Sequence, residues 1–298
     1  MRKTNDYEPS KALKFIKDHK KIISIIVVVI YMLSIGVVFW KYNGDLEKVY
    51  FISQIISGGF VVGGLVVSVL QYTASCVDNA ILRDQEKKIK AAEMANKFQA
   101  EMIPLLNLLA GAYRCSSQDE SVLKKIESTK LSMFDKEEVN KVLSEVGTEQ
   151  SNILTGLYIG HLLDTGRISK KDIDIEHHEI NVSDENKKAA EQEVNVCIND
   201  LSNKLEYFGI YFNSGIADED TVYQSLHKVF FQCVHMLYPF IFANNTSESD
   251  RLFENMSSLY ISWKERYNSL VERENEELIN RKKDVHQKII VKAKKARH

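Results

Sequence analysis

The densest group of side chains able to bind a metal ion or transfer protons lies between residues 172 and 179. Its members are Asp172, Asp174, Glu176, His177, His178 and Glu179. A zinc site needs ligands that converge at a fixed geometry, whereas adjacent residues of a strand point to opposite faces. The spacing also matches no zinc motif. We therefore interpret this segment as a solvated polar insertion and predict no metal site.

Other histidines stand singly in segments of helical spacing, and we expect them in the core or at an interface. They are His161, His227 and His235. The four cysteines show no C-x-x-C spacing and are predicted to be unpaired packing residues. The sequence contains no P-loop, dinucleotide-binding glycine loop, nucleophile elbow or His-Glu-x-x-His motif. We therefore predict that the protein is not an enzyme, needs no cofactor and acts on no small-molecule substrate.

Two apolar runs near the N-terminus predict a transmembrane helical hairpin over residues 22–72. The first run covers residues 22–40 and the second covers residues 49–72, and neither contains a charged side chain. A helix of about 20 such residues matches the roughly 30 Å thickness of the hydrocarbon core of a bilayer. Since only residues 41–48 connect the runs, the two helices must be antiparallel.

Lysine and arginine residues flank this hairpin on one side of the membrane. They are concentrated in the basic segment 1–21 and again after the second run, whereas the connecting loop is charge-balanced. Positively charged flanks stay on the cytoplasmic side. We therefore predict a multi-pass membrane protein with both termini in the cytoplasm. A cleavable signal peptide is disfavoured, because the first run is too long and no small-residue cleavage site follows it.

Small residues form a stripe along the second run. The stripe consists of Gly58, Gly59, Gly63, Gly64 and Ser68. A small-xxx-small spacing lets two membrane helices approach closely. The stripe could pack against the first run of the same chain or against a neighbouring subunit, and the motif alone does not separate these alternatives. In the second case the protein is a homo-oligomer.

The rest of the chain predicts an all-α fold. The sequence has only three prolines, and most of its 13 glycines lie in the hairpin or between periodic segments, so long helices are uninterrupted. We predict a helical stalk over residues 73–101, a cytosolic helical-bundle domain over residues 102–280 and a basic tail over residues 281–298. Alternating apolar residues predict one small β-hairpin insertion within residues 168–182.

The clearest helical periodicity predicts a helical hairpin from residues 187–213 and 219–242. Gly215 can end the first helix in the left-handed conformation, with Ile216 folding back on Tyr211, and Asp218 can cap the second helix. Helical spacing also covers residues 122–126 and 137–163. A last long helix is predicted from Asp250 onward.

The C-terminal tail is strongly basic although the whole chain has a net charge of −2. Its basic residues are Arg281, Lys282, Lys283, Lys288, Lys292, Lys294, Lys295 and Arg297. The tail could bind nucleic-acid phosphate, bind anionic lipid, or be a solvated helix end favoured by the helix dipole. Of the two functional interpretations nucleic acid is favoured, because Ile289, Ile290 and Val291 provide little apolar surface to anchor the tail in lipid.

Residues 201–223 (LSNKLEYFGIYFNSGIADEDTVY), continued by Pro239 and Arg251, resemble a family of bacterial membrane-anchored helical proteins of unknown function. The residues that carry the resemblance are Leu205, Glu206, Gly215, Asp218, Glu219 and Tyr223. The sequence departs from the family pattern at Asn203, which is not adjacent to Leu201. The resemblance implies a helical hairpin and no catalytic residues.

The order of the predicted elements, two membrane spans and then a helical cytosolic domain, is also similar to effector proteins encoded beside reverse transcriptases in bacterial retron anti-phage systems. This resemblance implies a toxic effector that damages the inner membrane once phage infection releases it from an inhibitory complex. The partner would be the reverse transcriptase with its DNA product. The alternative is a membrane-tethered scaffold or adaptor that recruits a cytosolic protein or nucleoprotein.

Overall fold

The computed structural model describes residues 20–41, 45–116, 119–174, 179–180, 183–247, 249 and 251–295. The chain divides into two compact units, Met1–Glu86 and Lys87–His298. The predicted basic N-terminal segment lies outside the described residues except for its last two positions. The described residues are overwhelmingly helical, so the predicted all-α class is confirmed for them.

The first unit contains helix α1 (Lys20–Lys41) and the beginning of helix α2 (Leu46–Lys97). Tyr31 of α1 contacts α2 twice. Its hydroxyl lies 3.1 Å from Ser57 Oγ, and its ring meets the Phe60 ring edge-on with centroids 4.5 Å apart. One polar and one aromatic contact therefore join the two helices at this level.

One helix in the described part of the chain is long and apolar enough to cross a membrane. It belongs to the continuous helical run Tyr50–Cys115, and none of its most apolar window is buried. The described part of α1 contributes a shorter apolar helix, Val29–Lys41. Side chains of residues 20–28, which would complete the first predicted span, lie outside the description.

The second unit is a bundle in which α2 leads through a π-helical turn into seven further α-helices. The turn is Phe98–Met102, and the helices are α3 (Ile103–Cys115), α4 (Asp119–Ser128), α5 (Lys136–Val146), α6 (Gln150–Asp164), α7 (Asp184–Asn213), α8 (Glu219–Ile241) and α9 (Glu254–Lys295). Pro104 occupies the first turn of α3, where its missing N–H costs no hydrogen bond. Helix α2 therefore continues through the π-helical turn into α3.

A short antiparallel pairing interrupts the helical pattern between α6 and α7. Strand β1 (Ile173–Asp174) pairs with β2 (Glu179–Ile180), with Ile173 opposite Ile180. The structure thus shows the β-hairpin predicted within residues 168–182 for two described residues on each side. Residues 175–178 and 181–182 lie outside the description.

Helix α8 forms the centre of the bundle. Every residue from Cys233 to its end at Ile241 is buried, so this half of the helix is enclosed on all sides. Trp263 of α9 is fully buried against it, with its ring centroid 5.1 Å from that of Phe230 and 6.2 Å from that of Phe208 in α7. Helix α8 therefore packs against both α7 and α9.

The helical hairpin predicted between α7 and α8 is confirmed. Gly215 has φ of 66°, and the N–H groups of Ile216 and Ala217 both donate to the Tyr211 carbonyl, at 3.0 and 3.1 Å. The Asp218 carboxylate accepts from the Thr221 N–H at 3.1 Å and caps α8. These local residues fix the turn because each acts within one helical turn of its position.

Two predicted helices have different bounds in the structure. The helix expected over residues 137–163 is broken at Gly147, which has φ of 72° and ends α5 before α6 begins. The helix expected from Asp250 begins at Glu254, after Phe253 with φ of 61°. In both cases apolar residues recur at helical spacing on both sides of a turn, so the spacing alone did not show where the helix stops or starts.

The core of the second unit also extends into the segment for which we expected a stalk. Ala91, Met94 and Phe98 are buried, and the Phe98 ring contacts Phe208 of α7 with centroids 5.2 Å apart. The compact unit begins at Lys87, before the expected start of the domain at residue 102. The last turns of α2 therefore help to form the bundle.

Candidate functional site

The small-residue stripe lies on α2 in the first unit. A Cβ atom added at Gly58, Gly59, Gly63 or Gly64 meets no atom of the described residues within 4 Å. The Ser68 hydroxyl donates to the Gly64 carbonyl of its own helix at 2.8 Å. The described residues of α1 thus leave the stripe uncovered, although α1 contacts α2 through Tyr31 nearby.

The basic tail continues α9 as far as Lys295. Arg281, Lys282 and Lys283 are exposed, and Arg281 pairs with Glu277 one turn earlier at 3.7 Å. The predicted contact residues whose side chains lie outside the description are Lys288, Lys292, Lys294 and Lys295; Arg297 is outside it altogether. The tail side chains that the structure describes, those of residues 281–283, are therefore all exposed on the helix.

The polar insertion holds its first carboxylate within the segment itself. Asp172 accepts from the Ser169 N–H at 2.7 Å and from the Ser169 hydroxyl at 2.8 Å. These hydrogen bonds lower the pKa of Asp172 below its ordinary value, because they favour the charged form. Glu176, His177 and His178 lie outside the described residues, and the described residues contain no group of side chains that could hold a metal ion.

His161 lies in a polar cluster that joins α6 to α7. Its Nε2 is 2.7 Å from Glu193 Oε2, and Arg167 donates to both Glu193 oxygens at 2.9 and 3.0 Å. The Arg167 and His161 contacts lower the pKa of the Glu193 carboxyl. His161 Nδ1 is buried and has no hydrogen-bond partner among the described residues. The cluster ties two helices together at the surface.

A cleft between α4, α8 and α9 is a candidate binding site that the sequence analysis did not identify. Its volume is about 490 Å³. It is lined by Leu123, Glu127, Lys228, Phe231, Gln232, His235, Met236, Lys264 and Tyr267. The periodic spacing within each helix places these residues on one face of α4, one of α8 and one of α9.

His235 lines this cleft and contacts Tyr260, which is buried in the core. His235 is only 7% exposed, and its Nε2 lies 2.8 Å from the Tyr260 hydroxyl. Burial, together with the nearby Lys264 ammonium, lowers the pKa of His235 to about 4. Burial also raises the pKa of Tyr260. Both groups are therefore neutral near pH 7, and the expectation of a core position for His235 is confirmed.

Two lysines provide the positive charge of the cleft. Lys228 comes from α8 and Lys264 from α9, and the Lys264 Nζ lies 5.2 Å from the centre of the Phe231 ring. Glu127 of α4 is the single acidic lining residue. Within the described chain neither lysine forms an ion pair with a carboxylate. The lining thus carries an excess of positive charge.

The residues that carry the family resemblance are structural. Glu206 of α7 accepts from the N–H groups of Asn255 and Met256 at 3.1 and 2.9 Å, and so caps α9. The Arg266 guanidinium lies 4.0 Å from the centre of the Tyr223 ring and 3.6 Å from Glu219. These residues hold α7, α8 and α9 in position.

Comparison with curated proteins found no match, and comparison with solved structures also found none. Comparison with protein families matched residues 108–263, just over half of the chain. The matched residues begin in α3 and end at Trp263, so they contain most of the bundle and the α4 and α8 sides of the cleft. The chain therefore belongs to the family described as Domain of unknown function (DUF4760).

Proposed function

We propose that the protein is a membrane-anchored toxic effector of a bacterial, retron-like anti-phage defence system. Residues 22–72 cross the inner membrane twice, with both termini in the cytoplasm. The helical domain is held inactive by a partner complex, for which a reverse transcriptase with its DNA product is the proposed candidate. Release of the partner lets the membrane helices of several copies associate and breach the bilayer.

The observation that carries this proposal is the uncovered small-residue stripe on an exposed apolar helix. Val61, Leu65 and Val69 of α2 are 64%, 62% and 63% exposed. A continuous apolar surface of this kind marks a membrane or protein contact. Since no described atom approaches Gly59 or Gly63, the stripe is available to a second copy of α2. Lateral association through the stripe is the step that would build a pore.

The proposal is tested by expressing the protein alone in bacteria and measuring the membrane potential with a voltage-sensitive dye. The unaltered protein is expected to collapse the potential. Gly59→Leu and Gly63→Leu each place a large side chain in the stripe and are expected to abolish the collapse. Val61→Leu is the matched control, because it adds one methylene group on the side of the same helix that faces away from Gly59 and Gly63. Membrane insertion of every variant is checked by extraction and immunoblotting.

Two outcomes contradict the pore mechanism. One is an unchanged potential while the unaltered protein is expressed and inserted normally. The other is equal activity of Gly59→Leu and Val61→Leu, which would mean that the stripe plays no part. The defence role is tested by infecting cells that carry the gene with its neighbouring genes with phage and measuring their survival. An adjacent reverse transcriptase gene would support the proposed partner.

A membrane-tethered scaffold is the second candidate function. It is favoured by the separate core of the second unit, since this domain buries its own apolar side chains from Ala91 to Trp263. A scaffold needs the membrane helices only as an anchor. Replacing residues 22–72 with an unrelated two-span hairpin should therefore preserve phage protection by a scaffold and abolish the activity of a pore. The exchange separates the two candidates directly.

A further inference from the structure

We propose that the cleft between α4, α8 and α9 is a binding site for a small organic anion of the nucleotide class. The flat ring of this ligand would lie against the side chains of Phe231 and Tyr267, which we call the aromatic wall. Its phosphate group would bind Lys228 and Lys264. The proposal concerns the helical domain alone. It goes beyond the proposed membrane activity and does not depend on it.

The size and shape of the cleft fit such a ligand. Its volume of about 490 Å³ lies within the range of roughly 300–1,000 Å³ that is typical of small-molecule sites. Phe231 and Met236 are almost completely buried in its wall, and Leu123 adds apolar surface from α4. The cleft combines this apolar surface with five polar or charged side chains that can orient a ligand, namely Glu127, Lys228, Gln232, His235 and Lys264.

The aromatic wall can hold a flat ring. The Phe231 and Tyr267 rings are nearly perpendicular, at 79°, with centroids 6.1 Å apart. Phe231 is fixed from behind by Tyr260, whose ring centroid lies 5.3 Å away. A planar ligand placed in this corner meets one ring face-on and the other edge-on, which are the two favoured aromatic geometries.

The charges of the cleft select an anion. Lys228 and Lys264 bring two ammonium groups to the same cavity, against the single carboxylate of Glu127. Neither lysine has an ion-pair partner among the described residues, so a bound phosphate would supply the counter-charge that both lack. The same charges disfavour a metal ion. Lys264 in addition lies over the Phe231 ring at 5.2 Å, which places its charge beside the aromatic wall.

His235, a lining residue of the cleft, can supply a hydrogen-bond donor to the ligand. The Tyr260 hydroxyl lies 2.8 Å from His235 Nε2, and it can donate its proton to that nitrogen. A neutral imidazole that accepts at Nε2 carries its proton on Nδ1. In that tautomer the Nδ1 proton is the one that His235 can offer to an acceptor atom of the ligand.

The test is isothermal titration calorimetry of the full chain in an uncharged detergent, with AMP, GMP, CMP and UMP as probes. At least one nucleotide is expected to bind with a Kd below about 1 mM. Adenosine and inorganic phosphate, which each lack one half of the ligand, are expected to bind at least about tenfold more weakly than the best nucleotide. This comparison separates a site for the whole molecule from one for free phosphate.

The variants Lys228→Gln and Lys264→Gln are each expected to weaken binding about tenfold or more, because a charge-assisted hydrogen bond is lost. Lys282→Gln is the matched control, since Lys282 is exposed on α9 outside the cleft. All three substitutions lie at positions where folding should persist, which circular dichroism would verify. Far-ultraviolet spectra and thermal midpoints should agree among them.

Three results would overturn the proposal. The first is the absence of binding by all four nucleotides at millimolar concentration. The second is equal weakening by Lys264→Gln and Lys282→Gln, which would indicate general electrostatic attraction. The third is binding of inorganic phosphate as tight as that of the nucleotides. None of these results bears on membrane potential, so a failure here is distinguishable from a failure of the proposed membrane activity.

Discussion

The substitution Glu206→Gln tests how α9 is attached to the bundle. Glu206 lies on α7, but its two carboxylate oxygens accept three hydrogen bonds from the beginning of α9. The donors are the Asn255 N–H at 3.1 Å, the Asn255 side-chain amide at 2.8 Å and the Met256 N–H at 2.9 Å. A carboxylate at this position also faces the positive end of the helix dipole.

The expected cost follows from these contacts. Glutamine keeps one acceptor oxygen for Asn255 but turns an NH2 group toward the Met256 N–H, so that two donors face each other. The loss of one charge-assisted hydrogen bond costs about 1.5–3 kcal/mol, and the loss of the charge at the helix terminus costs about 0.3–1 kcal/mol more. We therefore expect the free energy of unfolding to fall by about 2–4 kcal/mol. For a domain of this size the thermal midpoint should fall by roughly 4–16 °C.

The assay is urea unfolding of the full chain in detergent, followed by tryptophan fluorescence. Of the two tryptophans, Trp263 is fully buried in the bundle and Trp40 is 83% exposed. A Trp40→Phe background therefore makes the signal specific to the bundle. Glu191→Gln, elsewhere on α7, is the control. A Glu206→Gln effect below about 0.5 kcal/mol, the range of ordinary surface substitutions, would refute the capping role.

Three further outcomes are expected from the packing of the bundle. Gly160→Ala should destabilise the domain by about 3 kcal/mol in the same unfolding assay, because the new Cβ would lie 2.0 Å from the Ala112 carbonyl oxygen. Burial lowers the pKa of His235 to about 4 in the folded protein, whereas the ordinary pKa of 6.5 applies in the unfolded chain. As the pH falls below 6.5, the unfolded chain therefore binds a proton that the folded protein does not. Stability should therefore decrease by about 2–3 kcal/mol between pH 7 and pH 4.5, and His235→Gln should flatten this part of the profile. The Cys233 thiol is fully buried and its pKa is raised, whereas Cys76 is exposed. Iodoacetamide should therefore modify Cys76 in the native protein and Cys233 only after unfolding, as measured by mass spectrometry. Rapid modification of Cys233 in the native protein would contradict its place in the core.

The turn between α7 and α8 was predictable because its signals are local. Gly215 and Asp218 act on groups within a few residues, so their types and spacing suffice. The break at Gly147 had a signal of the same kind, but apolar residues recur at helical spacing on both sides of it. This periodicity predicted one continuous helix, whereas the structure has a turn at Gly147, where φ is 72°.

The cap of α9 and the cleft were not predictable from spacing. Glu206 acts on Asn255, which is far along the chain, and a glutamate in the middle of a helix usually indicates only a solvated face. Close packing at Gly209 brings the two helices together there, since an added Cβ would lie 2.7 Å from the Asn255 carbonyl group. Lys228 and Lys264 likewise occur as ordinary helical lysines in the sequence.

The sequence by itself determined the helical class, the uncharged apolar runs and the stop between α7 and α8. Each of these depends on side-chain hydrophobicity or on hydrogen bonds that close within about one turn of the chain. The tertiary structure decided which side chains meet: Glu206 with α9, His235 with Tyr260, and two lysines across one cleft. Such meetings depend on how helices cross, and the crossing is set by packing over the whole core.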